Sequence, residues 1–420
     1  MLWLSLFWAW LAWNLYHPWR GKPEQMGVIS FIFGVLAGEL PLHLIALEFL
    51  ITIAIIASHG LTGLTDASAV LIAGASWLAL AQFYSLADQT RHEMTSGIKQ
   101  ALGENFSDSI PENRKRLIPQ DIDISKLVKP FAYKVPGVTR IRNVVYHTEA
   151  DTALKLDIFH QESLPPNAPV LLQIHGGAWI IGNKDQQALP LMGQLASRGW
   201  VCVSVQYRLS PKATFPDHIV DCKRALVWVK EHIAQYGGDP DFIVATGGSA
   251  GGHLSGLLAL SANNPAFQPG FEDKDTTVQG AVPFYGIFDF TNSLGQRKHK
   301  GLDDLLTRQV LKSSLYDDPD LWELASPIFH AAASAPPTLL IHGSSDTLAP
   351  VEESRALYNT LKEIEGVRVG LAELSYAQHA FELWYSRRTL EVIYGVECFL
   401  TALHQEYLER TTSTAGKPEA

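Results

Sequence analysis

Three long apolar runs open the chain, and shorter ones alternating with amphipathic stretches fill the rest. Leu2 to Tyr16 is uncharged, rich in tryptophan and about fifteen residues long, short of the roughly twenty that a membrane span needs. No lysine or arginine precedes Arg20, unlike the basic start of a cleaved signal peptide, so a retained membrane segment with an interfacial belt of tryptophans is predicted. Gly27 to Ser58 is too long for one simple span and is interrupted by Glu39, Pro41, His43 and Glu48. It predicts one kinked span plus an interfacial turn, or two short re-entrant pieces. Ala67 to Ala87 is the clearest span, and Ala73, Gly74, Ala75 and Ser76 within it predict close helix packing. With three spans, Arg20, Lys22, Arg91 and Lys99 share one side, while the Ser58 to Asp66 loop on the other has no lysine or arginine. The positive-inside rule then puts the remainder of the chain in the cytoplasm.

From Asp88 to Lys129 the pattern turns polar, with Gly97, Gly103, Pro111 and Pro119 as breakers, which predicts a linker with some helix packed on the next domain. From about Phe131, eight strand-like runs appear: Ile141–His147, Leu154–His160, Val170–Ile174, Val201–Tyr207, Phe242–Ala245, Gly280–Tyr285, Thr338–His342 and Val367–Glu373. Helical runs fall between most of them, at Leu189–Arg198, Pro216–Gln235, Gly251–Ser261, Glu352–Glu365 and Leu383–Leu408. Apolar strands separated by helices mean an α/β fold, a mostly parallel sheet covered on both faces. Its site lies in the loops leaving the carboxyl ends of the strands. The expected division is a helical membrane region over 1–90, a linker over 91–129, an α/β catalytic domain over 130–410 and a disordered polar tail over 411–420.

Composition narrows the chemistry. The formal charge is −10 and the basic runs are short, Arg114-Lys115-Arg116 and Arg297-Lys298-His299-Lys300, so no nucleic-acid footprint is present. Cys202, Cys222 and Cys398 have no CxxC spacing and read as buried free thiols. Nothing matches a zinc-protease helix, a phosphate-cradling glycine loop or a dinucleotide fingerprint, so neither a metal nor a cofactor is expected.

Gly247-x-Ser249-x-Gly251 lies between a strand-like run and a helix-compatible one, the setting of a nucleophile elbow. Three other strand-end loops matter. In Gln173-Ile174-His175-Gly176-Gly177-Ala178-Trp179, the N–H groups of Gly177 and Ala178, with that of Ala250, are placed to donate to an oxyanion, and Gly176 to set the turn. Asp346 follows the Thr338–Ile341 run and is placed to orient a histidine. His379 follows the Val367–Glu373 run. Ser249, Asp346 and His379 therefore occur in the α/β-hydrolase order, each at a strand end. Asp289 is an alternative acid; His175 is expected to stabilise its loop, and His253 and His342 to pack near the site. Thr291 to Ile328 reads as a cap insertion whose Leu305, Leu306, Leu311, Leu315 and Trp322 could line an acyl pocket.

Taken together, HGGAW, GGSAGG, HGSSD and QHAF resemble the hormone-sensitive-lipase-like branch of the α/β-hydrolases, over about Val144 to His404. The resemblance implies an α/β-hydrolase fold, carboxylesterase or lipase activity, Ser249 as nucleophile, His379 as general base and acid, and Asp346 as its orienter. Tyr207, Arg208, Pro216 and Asp221 fall in a stretch similar to the family's structural connection. Two positions depart from the pattern: Ala178 stands for the third glycine of the commoner HGGG, and Gly248 for an acidic residue that often precedes the serine. The expectation is a membrane-anchored serine esterase acting on small-molecule, lipid-like or amphipathic esters. Two other readings are a transferase or amidase using the same triad, and a non-catalytic ligand-binding module of this fold.

Overall fold

All eight strand-like runs become strands of one sheet, each being shorter than the roughly ten residues a buried helix needs. The computed structural model describes residues 1–116, 118, 121–149, 152–163, 166–295, 297 and 300–415. Its strands are β1 Val138–Glu149, β2 Thr152–Gln161, β3 Ala168–Ile174, β4 Val201–Val205, β5 Gly238–Gly248, β6 Gly280–Phe284, β7 Thr338–Gly343 and β8 Val369–Leu374, in the spatial order β1-β2-β4-β3-β5-β6-β7-β8. The pairs β1–β2 and β2–β4 are antiparallel and every other pair is parallel. Burial follows the pattern: β3, β4, β6 and β7 are buried along their whole length, whereas the edge strand β1 is mostly half-exposed.

Register decides where the site forms. Ile174 lies opposite Gly247, Gly248 opposite Phe284, and Gly343 opposite Leu374. The loops after β3, β5, β6, β7 and β8 therefore leave the sheet at one edge, as the rule for parallel sheets requires.

Ten longer helices are numbered in chain order. Five belong to the N-terminal part, α1 Leu2–Tyr16, α2 Gln25–Glu39, α3 Pro41–His59, α4 Leu64–Leu86 and α5 Gln89–Leu102. The other five are α6 Leu189–Ser197, α7 Asp217–His232, α8 Ala250–Leu260, α9 Glu352–Lys362 and α10 Arg387–Ala415. Side chains of α7 and α8, among them Ile219, Leu226 and Leu254, join Val170, Leu172, Val203 and Ile243 on one face of the sheet. Residues of α5, α6 and α10, among them Ile98, Leu195 and Leu390, join Leu171, Val244 and Ile341 on the other. Alternation along β3 and β5 feeds both layers.

Several expectations change. Gly97 does not break the polar stretch but sits inside α5, where a Cβ would lie 2.8 Å from the backbone N of Ala372, so its missing side chain lets α5 dock directly on β8. Pro119, read as another breaker, lies outside the described residues, as do 298 and 299 of the second basic run. The last helix extends to Ala415, so residues 411–415 of the expected polar tail are helical, while 416–420 lie outside the described residues. In the insertion, Gly301–Leu305 runs into a π-helical turn, Leu306–Val310. Leu306, Leu311 and Trp322 are consumed by the core beside Phe215 and Phe290, and Leu315 is exposed. Close packing of the sheet face took three of the five side chains that the sequence offered to an acyl pocket.

The long apolar run from Gly27 breaks at Leu40, where Pro41 opens α3 at a position that needs no N–H donor. By length and composition, α3 and the near-continuous stretch Leu64–Leu102 could cross a membrane. In the expected small-residue segment of α4, Ala73 and Ser76 are buried, whereas Gly74 faces open space. Ala69, Ala73, Ser76, Leu80 and Phe83 make one buried stripe at helical spacing.

The helical region is joined to the sheet-bearing part by a buried ion pair. Arg388 Nε donates to Glu39 Oε1 at 3.0 Å, and Ser386 Oγ to Glu39 Oε2 at 2.6 Å. Removing one partner strands a buried charge, at a cost of about 3–5 kcal/mol. Glu39→Ala is expected to lower the unfolding free energy in detergent by about that much, and the apolar pair Glu39→Leu with Arg388→Met to restore most of it. Unchanged denaturation of the single variant would show that the pair is not buried as described.

Candidate active site

Ser249 sits where β5 turns into α8, with φ 59° and ψ −121°, a conformation sparsely populated for a residue with a Cβ and costing roughly 1–3 kcal/mol. Its N–H donates to Phe284 O at 3.0 Å, and its carbonyl accepts from His253 N at 2.9 Å, so both sides of the turn are pinned. The side chain makes no capping bond to the helix, and the residue stays half-buried at the sheet edge.

The loop after β3 lies directly against it: a Cβ on Gly176 would be 3.1 Å from Ser249 Cβ. Gly176 N–H is already committed to Gln187 Oε1 at 2.6 Å, which leaves that residue a turn-forming role. Gly177 has φ 122°, and a Cβ there would fall 2.0 Å from Ile181 O, so only glycine fits. Ala178 and Trp179 also have positive φ, 51° and 61°. Among the described residues, the N–H groups of Gly177 and Ala178 enter no hydrogen bond. The N–H of Ala250 lies in the first turn of α8, at the positive end of its dipole. Donors from two separate loops thus border Ser249.

On the other side stands His379, nine-tenths buried or more, whose Nδ1 donates to Asp346 Oδ2 at 2.6 Å. Asp346 Oδ1 accepts from the N–H groups of Leu348 and Ala349, each at 2.8 Å. Burial alone would raise the Asp346 carboxyl, but the neighbouring His379 and His342 outweigh it and hold the group well below the usual carboxylate range. With Nδ1 occupied, Nε2 is the nitrogen of His379 that keeps a free lone pair.

Two site neighbours had no signal in the sequence. The ring of Tyr285 lies 4.5 Å from that of His379, and its Oη would be 2.6 Å from a Cβ on Gly248. That hydroxyl donates to the buried carboxyl of Glu382, whose Oε1 would be 3.1 Å from the same Cβ. Gly248 therefore leaves no gap: the volume beside the serine's neighbour is filled by an acid from the far end of the chain. Burial pushes the Glu382 carboxyl up, partly offset by its bond to Tyr285. The spacing of Glu382 three positions after His379 was visible, but nothing marked it as inward-facing.

The remaining candidates are structural. His175 stacks on Tyr207 at 4.4 Å and donates from Nδ1 to Gly176 O at 2.8 Å. His253 Nε2 donates to Ala325 O at 2.7 Å and its Nδ1 accepts from Trp179 Nε1 at 3.2 Å, tying the Gly177–Trp179 loop to α8. His342 donates from Nε2 to Ala349 O at 2.9 Å and its Nδ1 meets Ser354 Oγ at 2.7 Å. Asp289 accepts from Thr291 and Ser293 within its own turn. Arg208 makes a bidentate pair with Asp221. Among the described residues no group of three or more metal-ligating side chains converges.

Comparison with known proteins agrees with this arrangement of strands and loops. The chain is 39% identical over 400 residues to "Probable carboxylic ester hydrolase LipM" of Mycobacterium tuberculosis, a match covering 93% of this chain and 90% of that one. The chain belongs to the carboxylic ester hydrolases of the hormone-sensitive-lipase-like α/β-hydrolases. A family model described as BD-FAE matches residues 156–361 of this ester hydrolase. "Isoprenylcysteine alpha-carbonyl methylesterase ICME" of Arabidopsis thaliana is 29% identical to it, over 57% of this chain and 56% of that one. Among solved structures, the esterase Est2 of Thermogutta terrifontis superposes with a TM-score of 0.52 at 26% identity, covering 69% of this chain and 98% of that one. The match to LipM is too long to be confined to the sheet-bearing part, so it takes in the helical region as well.

The buried histidines are expected to make the esterase less stable in acid. Burial pushes His175 down to about 4 and His253 down to about 3, whereas in the unfolded chain a histidine titrates near 6.5. Below about 6.5 the unfolded state binds the extra protons, so stability is lost as pH falls toward 4 and is unaffected by these groups above 6.5. Denaturant unfolding is expected to give a flat profile from pH 8 to 7 and a decline of about 3–5 kcal/mol per histidine across the full window. A flat profile down to pH 4 would contradict the burial of both rings.

Proposed function

We propose that the chain hydrolyses lipid-like or amphipathic esters through a triad of Ser249, His379 and Asp346, at a membrane to which its N-terminal helices hold it. The observation carrying the triad is the 2.6 Å bond from His379 Nδ1 to buried Asp346. Such a bond fixes the tautomer, leaves Nε2 to accept a proton and compensates the imidazolium that forms.

In acylation, Ser249 Oγ bonds to the ester carbonyl carbon while its proton passes to His379 Nε2. The carbonyl oxygen becomes anionic and accepts hydrogen bonds from the N–H groups of Gly177, Ala178 and Ala250, with Gly176 setting their turn. The carbon–oxygen bond to the leaving group breaks, and the alcohol departs with the proton from His379. Water then attacks the acyl-enzyme with His379 again as base, releasing the acid and restoring Ser249.

The lipid-like substrate class is supported by the outward apolar faces of α3 and α4, where Leu50, Leu64, Leu71 and Leu78 are 64–88% exposed. The similarity to a methylesterase of isoprenylcysteine points the same way. With α1, α3 and α4 as spans and α2 at the interface, Arg20, Lys22, Arg91 and Lys99 support a cytoplasmic catalytic part. Residues 1–90 then form the membrane region, 91–129 the connection and 130–410 the catalytic domain.

Ser249→Ala is expected to lower p-nitrophenyl ester turnover by about 10⁴-fold or more with an unchanged melting temperature. A fluorophosphonate probe is expected to label the wild type and not the variant. Turnover that persists in Ser249→Ala overturns the triad, and equal activity on short soluble and long-chain esters in detergent overturns the substrate class.

A further inference from the structure

Helix α2 lies across the two loops that carry Asp346 and His379. Thr347 Oγ1 donates to Gly27 O at 2.9 Å, and a Cβ on Gly34 would lie 3.4 Å from Gln378 Nε2. Gln378 Oε1 in turn accepts from Thr347 N at 2.8 Å and from His379 N at 2.9 Å, so the two loops and the helix share one clamp. Glu39 closes the far end on Ser386 and Arg388. Positions 27, 31 and 34 fall on one helix face. Between the two small residues, Phe31 reaches down to His379, its ring edge-on with centroids 5.8 Å apart and an interplanar angle of 78°. Asp346 meets His379 at Nδ1 and Tyr285 lies against its ring, so α2 supplies a third neighbour of this side chain.

From this we infer that Phe31 is a specificity-determining residue that bounds the alcohol side of the ester, so that a helix of the apolar N-terminal region forms part of the substrate site. The inference rests on the proposed triad, because it uses the role of His379. A histidine that returns its proton to the departing alkoxide must have that oxygen within hydrogen-bond reach; of the two aromatic neighbours of its ring, Tyr285 is buried whereas Phe31 is half-buried, which leaves Phe31 as the one to border the alcohol moiety. An aromatic ring there favours esters of small primary alcohols and works against branched or ring-bearing ones, whatever the acid. Filling or emptying such a pocket changes discrimination by about tenfold to a hundredfold.

The test compares the full-length protein in detergent with Phe31→Ala, Phe31→Leu and Phe31→Trp on two ester series. One series varies the alcohol, from methyl to tert-butyl and benzyl, at constant acid; the other varies the acyl length at constant p-nitrophenol. Rates are referred to sites titrated with fluorophosphonate, which removes any loss from misfolding. Phe31→Ala is expected to raise kcat/KM for the bulky alcohols relative to methyl by about tenfold, Phe31→Leu by less, and Phe31→Trp to lower it. The acyl-length profile is expected to keep its shape in all three. Unchanged alcohol selectivity across the three variants, or a change confined to the acyl series, overturns the inference. Activity that survives Ser249→Ala would instead overturn the triad, so the two failures are distinguishable.

Discussion

A buried carboxylate cannot stand alone, and much of the arrangement at the sheet edge follows from how Asp346 is satisfied. Its two oxygens take the N–H groups of Leu348 and Ala349 and the ring of His379, with His342 close by. Leu348 and Ala349 lie in the loop after β7 and His379 in the loop after β8, so meeting the charge fixes both loops at once. The same requirement selects the His379 tautomer and hence which nitrogen is free. A single electrostatic demand thus links stability to the chemistry available at the site.

The strained residues form a second constraint. Ser249, Ala178 and Trp179 all hold positive φ within two neighbouring loops. Such conformations persist only where the surroundings over-determine them. Here the surroundings are specific: Phe284 O on the serine N–H, and the His253 imidazole joining Trp179 to Ala325. Tyr285 and Glu382 fill the space that a side chain at 248 would need. Of the two departures from the commoner motif, Gly248 is matched by these compensating neighbours.

Helix α2 is joined to the sheet-bearing part through polar contacts, whereas α5 shares its core. Glu39 with Arg388 and Thr347 with Gly27 are hydrogen-bonded pairs across that joint, both made by α2, while Asn14 with Ser30 ties α1 to α2. Buried polar pairs fix one geometry, because a slipped register would leave each of them unsatisfied. Such a joint suits a helix that sets Phe31 against His379, where an error of an ångström matters.

The features that amino-acid order alone settled were local ones. Short apolar runs alternating with helical ones located all eight strands, and the order of GGSAGG, HGSSD and QHAF put Ser249, Asp346 and His379 at strand ends. Those signals are legible because each depends on neighbours within a few residues. Gly97 as a docking point, Glu382 beside Gly248, Phe31 over His379 and the core burial of Leu306, Leu311 and Trp322 were decided by packing alone. The first three pair residues about 130 to 350 positions apart, and the last depends on which face of a helix turns inward. No periodicity encodes that, because which apolar side chain meets the sheet and which meets the site depends on how close two backbones can come in space.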